Sequence, residues 1–214
     1  AEVGIGERGL TLHRLPSQFA MYHDVDSLTQ KVADQASGVR LVFETRATRM
    51  QVEYRATLDR SLDGSYVAAP SAVTVTCGDF EQTVRHANGD YRVWNGDRLE
   101  PLESGENSVA EFELPPSESP RVVEIWLPHN CNIELVAVRS DTELLVAQVA
   151  QKRWVHYGSS ISHCTEAEEP TGVWPVVASR ELGLDLYSLG LAGSANLEQF
   201  AARVIAAHPA DLIT

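Results

Sequence analysis

The spacing of apolar residues changes near residue 150, and that change does most to limit the folds open to this chain. Up to about residue 140, short runs alternate polar and apolar side chains, the period-2 pattern of half-buried strands. Residues 49–56, 111–114 and 123–127 are examples. Asp63-Gly64, Asn88-Gly89 and Asn95-Gly96 lie between such runs and supply the positive φ that tight hairpins need. About eight to ten short strands fit before residue 140, which predicts a two-sheet antiparallel β-sandwich, jelly-roll-like in outline.

Beyond residue 152 the pattern becomes strand, helix, strand, helix, strand. Residues 153–158 and 184–189 read as strands, and 211–214 as the start of a third. Residues 172–182 read as a helix closed by Gly183, and 197–207 as a second helix. In that second helix Leu197, Phe200, Ala201, Val204 and Ile205 recur at three and four, giving one buried face. Such alternation requires right-handed crossovers and a parallel sheet. The chain therefore reads as α+β with two domains. A sandwich spans 1–140, a linker 141–152 (with a short helix over 141–151 as the alternative), and an α/β domain 153–214.

Charge and cysteine usage exclude several function classes. The net charge of −13 is spread over both halves, and such a surface repels phosphate backbones and anionic lipid. Neither nucleic acid nor a membrane is expected as a partner; a homo-oligomer stays open. Cys77, Cys131 and Cys164 are odd in number and share no C-x-x-C spacing, which argues against a disulfide framework and against a zinc knuckle. The opening Ala1-Glu2-Val3-Gly4 lacks the basic and apolar regions of a signal peptide. A cytoplasmic location is the expectation, with an exported origin open because the chain starts at Ala.

Among the motifs, Gly4-Ile5-Gly6-Glu7-Arg8-Gly9 formally matches G-x-G-x-x-G. It follows no strand and opens no helix, so it reads as a flexible terminus, and no cofactor is expected. The stretch Trp154-Val155-His156-Tyr157-Gly158-Ser159-Ser160-Ile161-Ser162 is more telling. It runs from a buried strand into a glycine and serines before a helical segment, placing a hydroxyl where open α/β sheets put their chemistry. A G-x-S-x-G elbow fails, because Ser162 stands in place of the second glycine.

The segment resembles instead the first block of the SGNH (GDSL-type) hydrolases, G-D-S-[LI], with Ser159 in place of the aspartate. The resemblance makes Ser160 the nucleophile, its own N–H an oxyanion donor. Leu189-Gly190-Leu191-Ala192-Gly193-Ser194-Ala195 resembles the second block, with Gly193 as the glycine whose N–H serves the oxyanion hole. Residues 209–214 match the lead-in to the third. The family's third block, G-x-N-[DN], and its D-x-x-H acid and base have no counterpart in residues 1–214. The resemblance thus implies the first half of a flavodoxin-like catalytic domain, a longer native chain, and inactivity of this stretch alone. It also suits a subgroup with an N-terminal sandwich.

Other residues carry weaker signals. His156, His163 and Cys164 lack partners at zinc spacing, so no metal is expected. His163 is read as a loop residue at the pocket mouth, contacting substrate. Glu166-Ala167-Glu168-Glu169 reads as a solvated loop, and Trp94, Trp126 and Trp174 as core rather than sugar platforms. The resemblance implies a serine esterase acting on a small ester, an acetyl ester of a carbohydrate among the candidates. The alternative is a non-catalytic sandwich module attached to a hydrolase-like remnant. A nucleotide-binding βαβ domain is disfavoured, because 158–162 lacks a P-loop lysine.

Overall fold

The computed structural model describes residues 1–22, 25, 27–96, 98–147 and 152–214. It begins with a hairpin of β1 (Glu2–Ile5) and β2 (Leu10–His13), closed by the Gly6 N–H donating to the Gly9 carbonyl at 2.8 Å. The segment read as a flexible terminus is therefore the end of β1 and the turn of a paired hairpin. Two short helices follow, α1 (Ser17–Ala20) and α2 (Ser27–Ala33), in a region that the alternation assigned to strands.

The β-rich part continues with β3 (Arg40–Thr45), β4 (Arg49–Ser61), β5 (Ser71–Cys77), β6 (Phe80–His86) and β7 (Asp90–Asn95). Then come β8 (Arg98–Leu99), β9 (Ser108–Glu113), β10 (Arg121–Trp126), β11 (Asn132–Ser140) and β12 (Leu145–Val146). One sheet runs β1-β2-β11-β4-β7-β8, with β9 also on β4; the other runs β12-β3-β10-β5-β6. Val52, Tyr54 and Phe112 of the first meet Val73, Val75, Val123 and Ile125 of the second in one core. In β4, β9 and β10 these alternate with more exposed neighbours, which is why the period-2 reading found those strands, whereas residues 71–76 of β5 are all buried.

Three features depart from the sequence reading. β4 and β7 pair in parallel, so the sheets are not wholly antiparallel. The 13-residue β4 changes partner along one edge, from β9 at residues 49–54 to β7 at 57–61. Leu145 and Val146 pair with β3 as a strand where a linking helix was the alternative; residues 148–151 of that junction lie outside the described residues.

The remainder is β13 (Lys152–Gly158), α3 (Ser160–His163), α4 (Trp174–Leu182), β14 (Leu184–Gly190), α5 (Gln199–Ala207) and β15 (Leu212–Ile213). The strands form a parallel sheet in the order β14-β13-β15, and α4 ends on Gly183 at φ +62°. On one face Trp154 and Leu186 pack on Val173 and Val176, joined by Trp126 of β10. On the other, Val155, Leu189 and Leu191 pack on Phe200 and Val204, but also on Leu15, Phe19, Val32 and Ala33. The N-terminal helices thus cover the parallel sheet.

Arg14 fastens that covering. Its guanidinium is buried and donates to the carbonyls of Val32, Gln35, Ser188 and Gly190 at 2.6–3.2 Å. Burial pulls its pKa down to about 10, so the charge persists at neutral pH. Hydrogen bonds from a charged donor are worth about 1.5–3 kcal/mol each, which offsets the desolvation of the cation.

Candidate active site

The site forms where β13 and β14 end side by side. The Leu191 N–H donates to the Gly158 carbonyl at 2.7 Å and carries the pairing one step past both strands. Ser159 stands at the N-cap position of α3 with no side-chain capping bond, and Ser160 is its first residue, exposed to solvent. The helix closes after one turn, with Cys164 at φ 58° donating its N–H to the Ser160 carbonyl.

Two glycines permit this crossing. A Cβ on Gly158 would sit 2.0 Å from Ser162 Oγ, and one on Gly190 would sit 2.6 Å from the His163 N. Helix α3 therefore lies directly on the backbone of β14. Sequence reasoning assigned Gly158 and Gly190 no role of their own. The available signal was a glycine at the end of each strand, which marks close backbone approach.

The turn at residues 191–194 is closed by the Ser194 N–H on the Leu191 carbonyl at 3.0 Å, with Gly193 at φ +73°. Only glycine takes that conformation freely. The backbone N–H groups of Ser160 and Gly193 meet no acceptor among the described residues, and both residues are exposed. Two free donors on adjacent loops are what a developing oxyanion requires. Exposed apolar side chains stand nearby in the chain and in space. Ile161 follows Ser160, and Leu28 of α2 approaches Gly193, 3.5 Å from where its Cβ would be. Leu197, at φ 63°, is held by its N–H donating to the Tyr157 hydroxyl.

The two histidines that flank Ser160 in the chain bond other groups. His156 Nε2 bonds Ser162 Oγ at 2.8 Å and its Nδ1 bonds Thr214 Oγ1 at 2.7 Å, with Trp174 edge-on to the ring. Desolvation lowers its pKa. This is a Ser–His pair on a buried serine, not on Ser160. His163, read from sequence as a loop residue of the pocket mouth, closes α3 and is 0% exposed, beneath the site rather than at its rim. Its Nε2 bonds the His129 carbonyl at 2.9 Å and its Nδ1 meets the Ala192 N–H at 3.4 Å. Burial pushes the pKa of His163 down to about 3 and that of His129 to about 4. Ser160 Oγ bonds no side chain among the described residues.

The remaining motifs take structural places. Glu169, read as solvated, accepts hydrogen bonds from Thr83 Oγ1 and Arg85. Trp126 is buried, Trp94 is half-buried with its N–H on Asp59, and Trp174 is exposed enough to border solvent. Among the described residues no three His, Cys, Asp or Glu side chains gather as a metal site needs, and no helix is long and apolar enough to cross a membrane. A cavity of about 620 Å³, lined by Arg40, Arg153, Asp185, Tyr187 and His208 among others, runs along the outer edge of β14 from Asp185 to Ser188, and neither Ser160 nor Gly193 lines it.

No family model and no curated protein matches the chain. Solved structures do. The salicylyl-acyltransferase SsfX3 from a tetracycline biosynthetic pathway is 27% identical with a TM-score of 0.80, over 100% of this chain and 56% of that one. A GDSL-like lipase from Bacteroides ovatus is 16% identical with a TM-score of 0.68, over 94% and 56%. An active-site mutant of a family two carbohydrate esterase from Clostridium thermocellum is 9% identical with a TM-score of 0.51, over 74% and 46%. The chain spans a little over half the length of the first two. These neighbours are an acyltransferase, a GDSL-like lipase and a carbohydrate esterase, and this chain shares their fold over the aligned residues.

Proposed function

We propose that the protein is a serine esterase in which Ser160 attacks the carbonyl of a small ester. Ser160 Oγ forms the bond to the acyl carbon, and the Ser160 and Gly193 N–H groups hold the oxygen that becomes negative. The observation that carries this reading is the pair of unpartnered N–H groups beside an exposed serine, at the ends of neighbouring parallel strands. A serine hydroxyl needs a base to be nucleophilic at neutral pH. In a Ser-His-Asp mechanism the histidine would take the Ser160 proton and pass it to the leaving alcohol, while the aspartate orients the ring. On this proposal that histidine, its aspartate and a third oxyanion donor belong to residues beyond these 214. The β-rich part is then a sandwich domain, and the parallel part the first half of the catalytic domain. An acetyl ester of a carbohydrate is the first substrate to try.

A second reading is acyl transfer to an alcohol other than water. It is supported by the 27% identity to an acyltransferase and by the apolar rim of Leu28, Ile161 and Leu197. Such a rim offers apolar contact to an acyl group.

The experiment is intact mass before and after a fluorophosphonate probe, with peptide mapping. One adduct on Ser160, absent from Ser160→Ala, supports acyl chemistry. No adduct on a folded full chain returns the protein to a non-catalytic role. The partition of a labelled acyl group between water and added alcohol then separates the two enzymatic readings.

A further inference from the structure

We propose that His163 is a positioning residue that holds the oxyanion turn by the Ala192 N–H and is itself anchored to the β-rich part by the His129 carbonyl. This rests on reading Ser160 as nucleophile and Gly193 as oxyanion donor. The chemistry of each partner fixes the tautomer of the ring. The Ala192 N–H can only donate, so the Nδ1 it meets at 3.4 Å must carry a lone pair. The ring proton is then on Nε2, which donates to the His129 carbonyl at 2.9 Å. The Nε2–H tautomer satisfies both contacts and the Nδ1–H tautomer satisfies neither. An imidazolium would set two N–H groups against each other at Nδ1.

The ring sits in a fixed seat. His163 is 0% exposed, its carbonyl accepts from Ser37 Oγ at 2.9 Å, and its N lies only 2.6 Å from where a Cβ on Gly190 would be. Its pKa of about 3, set mainly by burial, keeps the ring neutral across ordinary pH. Three segments far apart in the chain thus meet at one imidazole: the loop at residue 129, the nucleophile helix, and the turn at 191–194. Ala192 is the neighbour of Gly193. Turning the Ala192 N–H inward onto the ring orients the peptide that follows, and leaves the Gly193 N–H outside as the free donor. Oxyanion donors act only when held to within about 0.5 Å of their productive place. A ring wedged between the two loops supplies that hold.

The test uses the full chain and two variants that divide the ring's contacts. In His163→Asn the amide oxygen stands near the place of Nδ1 and keeps the Ala192 contact, while the reach to His129 is lost. In His163→Gln the amide NH₂ reaches towards His129, while the acceptor for Ala192 is lost. With a 4-nitrophenyl ester, His163→Gln should lose roughly 10-fold or more in kcat with KM within about 2-fold, because the lost interaction acts in the transition state. His163→Asn should keep kcat within about 3-fold of the parent while losing thermal stability. A folded His163→Gln with parental kcat, or equal losses in both variants, overturns the inference. Ring ¹⁵N shifts of the unmodified chain at pH 7 add a measurement that no misfolded variant can obscure. The Nε2–H tautomer supports the inference, and Nδ1–H or imidazolium overturns it. A parent that takes no fluorophosphonate on Ser160 overturns the esterase reading underneath. A parent that is labelled at the same rate as His163→Gln overturns this inference alone.

Discussion

At the C-terminal ends of β13 and β14 stand Gly158, Ser160, Gly190 and Gly193; near their N-terminal ends stand Lys152, Arg153, Leu184 and Asp185. The first end is crowded with backbone, its side chains small and its two outward N–H groups unpaired. The second opens on a cavity of about 620 Å³. There Asp185 lies 3.4 Å from Arg40 and 3.7 Å from Arg153, so its charges answer one another. Volume and readiness for chemistry have separated. The cavity offers room with its polar groups largely satisfied, while the crowded end offers little room and donors that wait for an acceptor. Reaction chemistry needs the latter, because only unpaired, fixed donors gain when charge develops on a substrate.

The contrast can be broken in steps. Ser160→Ala should lower ester turnover on the order of 10⁴-fold or more if the crowded end is the active one, as measured by steady-state kinetics. A variant that keeps its rate moves the chemistry elsewhere.

Acid should loosen the crowded end first. The folded pKa values of His163 (about 3) and His129 (about 4) lie below the 6.5 of a free histidine, so the unfolded chain binds more protons as pH falls. Their contribution is complete above pH 6.5 and lost as pH falls towards 4 and then 3. From pH 6.5 to 5 two such rings would cost about 3 kcal/mol, which denaturant melts at the two pH values measure. Hydrogen exchange should rise at residues 160–163 and 191–194 before it rises at 152–155.

Gly193→Ala should lower kcat by roughly 10- to 100-fold with little change in KM, since alanine resists φ +73° and moves the donor. Space is not the obstacle there: a Cβ would meet Leu28 Cδ2 at an ordinary 3.5 Å. Gly190→Ala works through packing instead. Its Cβ would press on the His163 backbone, and melting should report a loss of about 2 kcal/mol. At the other end, Asp185→Ala should change stability by less than about 1 kcal/mol and turnover by less than about 2-fold, because half-exposed ion pairs contribute little. A large loss of turnover there would make the cavity part of the site.

Much of the fold was legible because it is locally encoded. The strand at 153–158, the helix ending at Gly183 and the strand from 184 each carry their own period and stop signal, and the structure has them within a residue or two. That Ser160 and Gly193 follow the ends of neighbouring strands was legible too. Other features depend on residues far apart in sequence. Nothing in Arg49–Ser61 says that its last residues pair in parallel with β7. Asn88-Gly89 looks like a hairpin turn, yet it joins strands of different sheets, while Asn95-Gly96 does lead from β7 into its partner β8. The places of α1 and α2 were missed because their burial depends on the parallel sheet they cover.

Taken alone, the chain's residues determined the two periods, the order of elements after residue 152, and a serine and a glycine at successive strand ends. These follow from φ preferences and side-chain spacing, which act over a few residues. Tertiary structure alone decided that Arg14 ties the N-terminal segment to β14, that His163 lies under the turn, and that Ser162 rather than Ser160 is the serine bonded to a histidine. Those outcomes depend on which backbone groups lose water together, and that is settled only when the sheets and helices have closed over them.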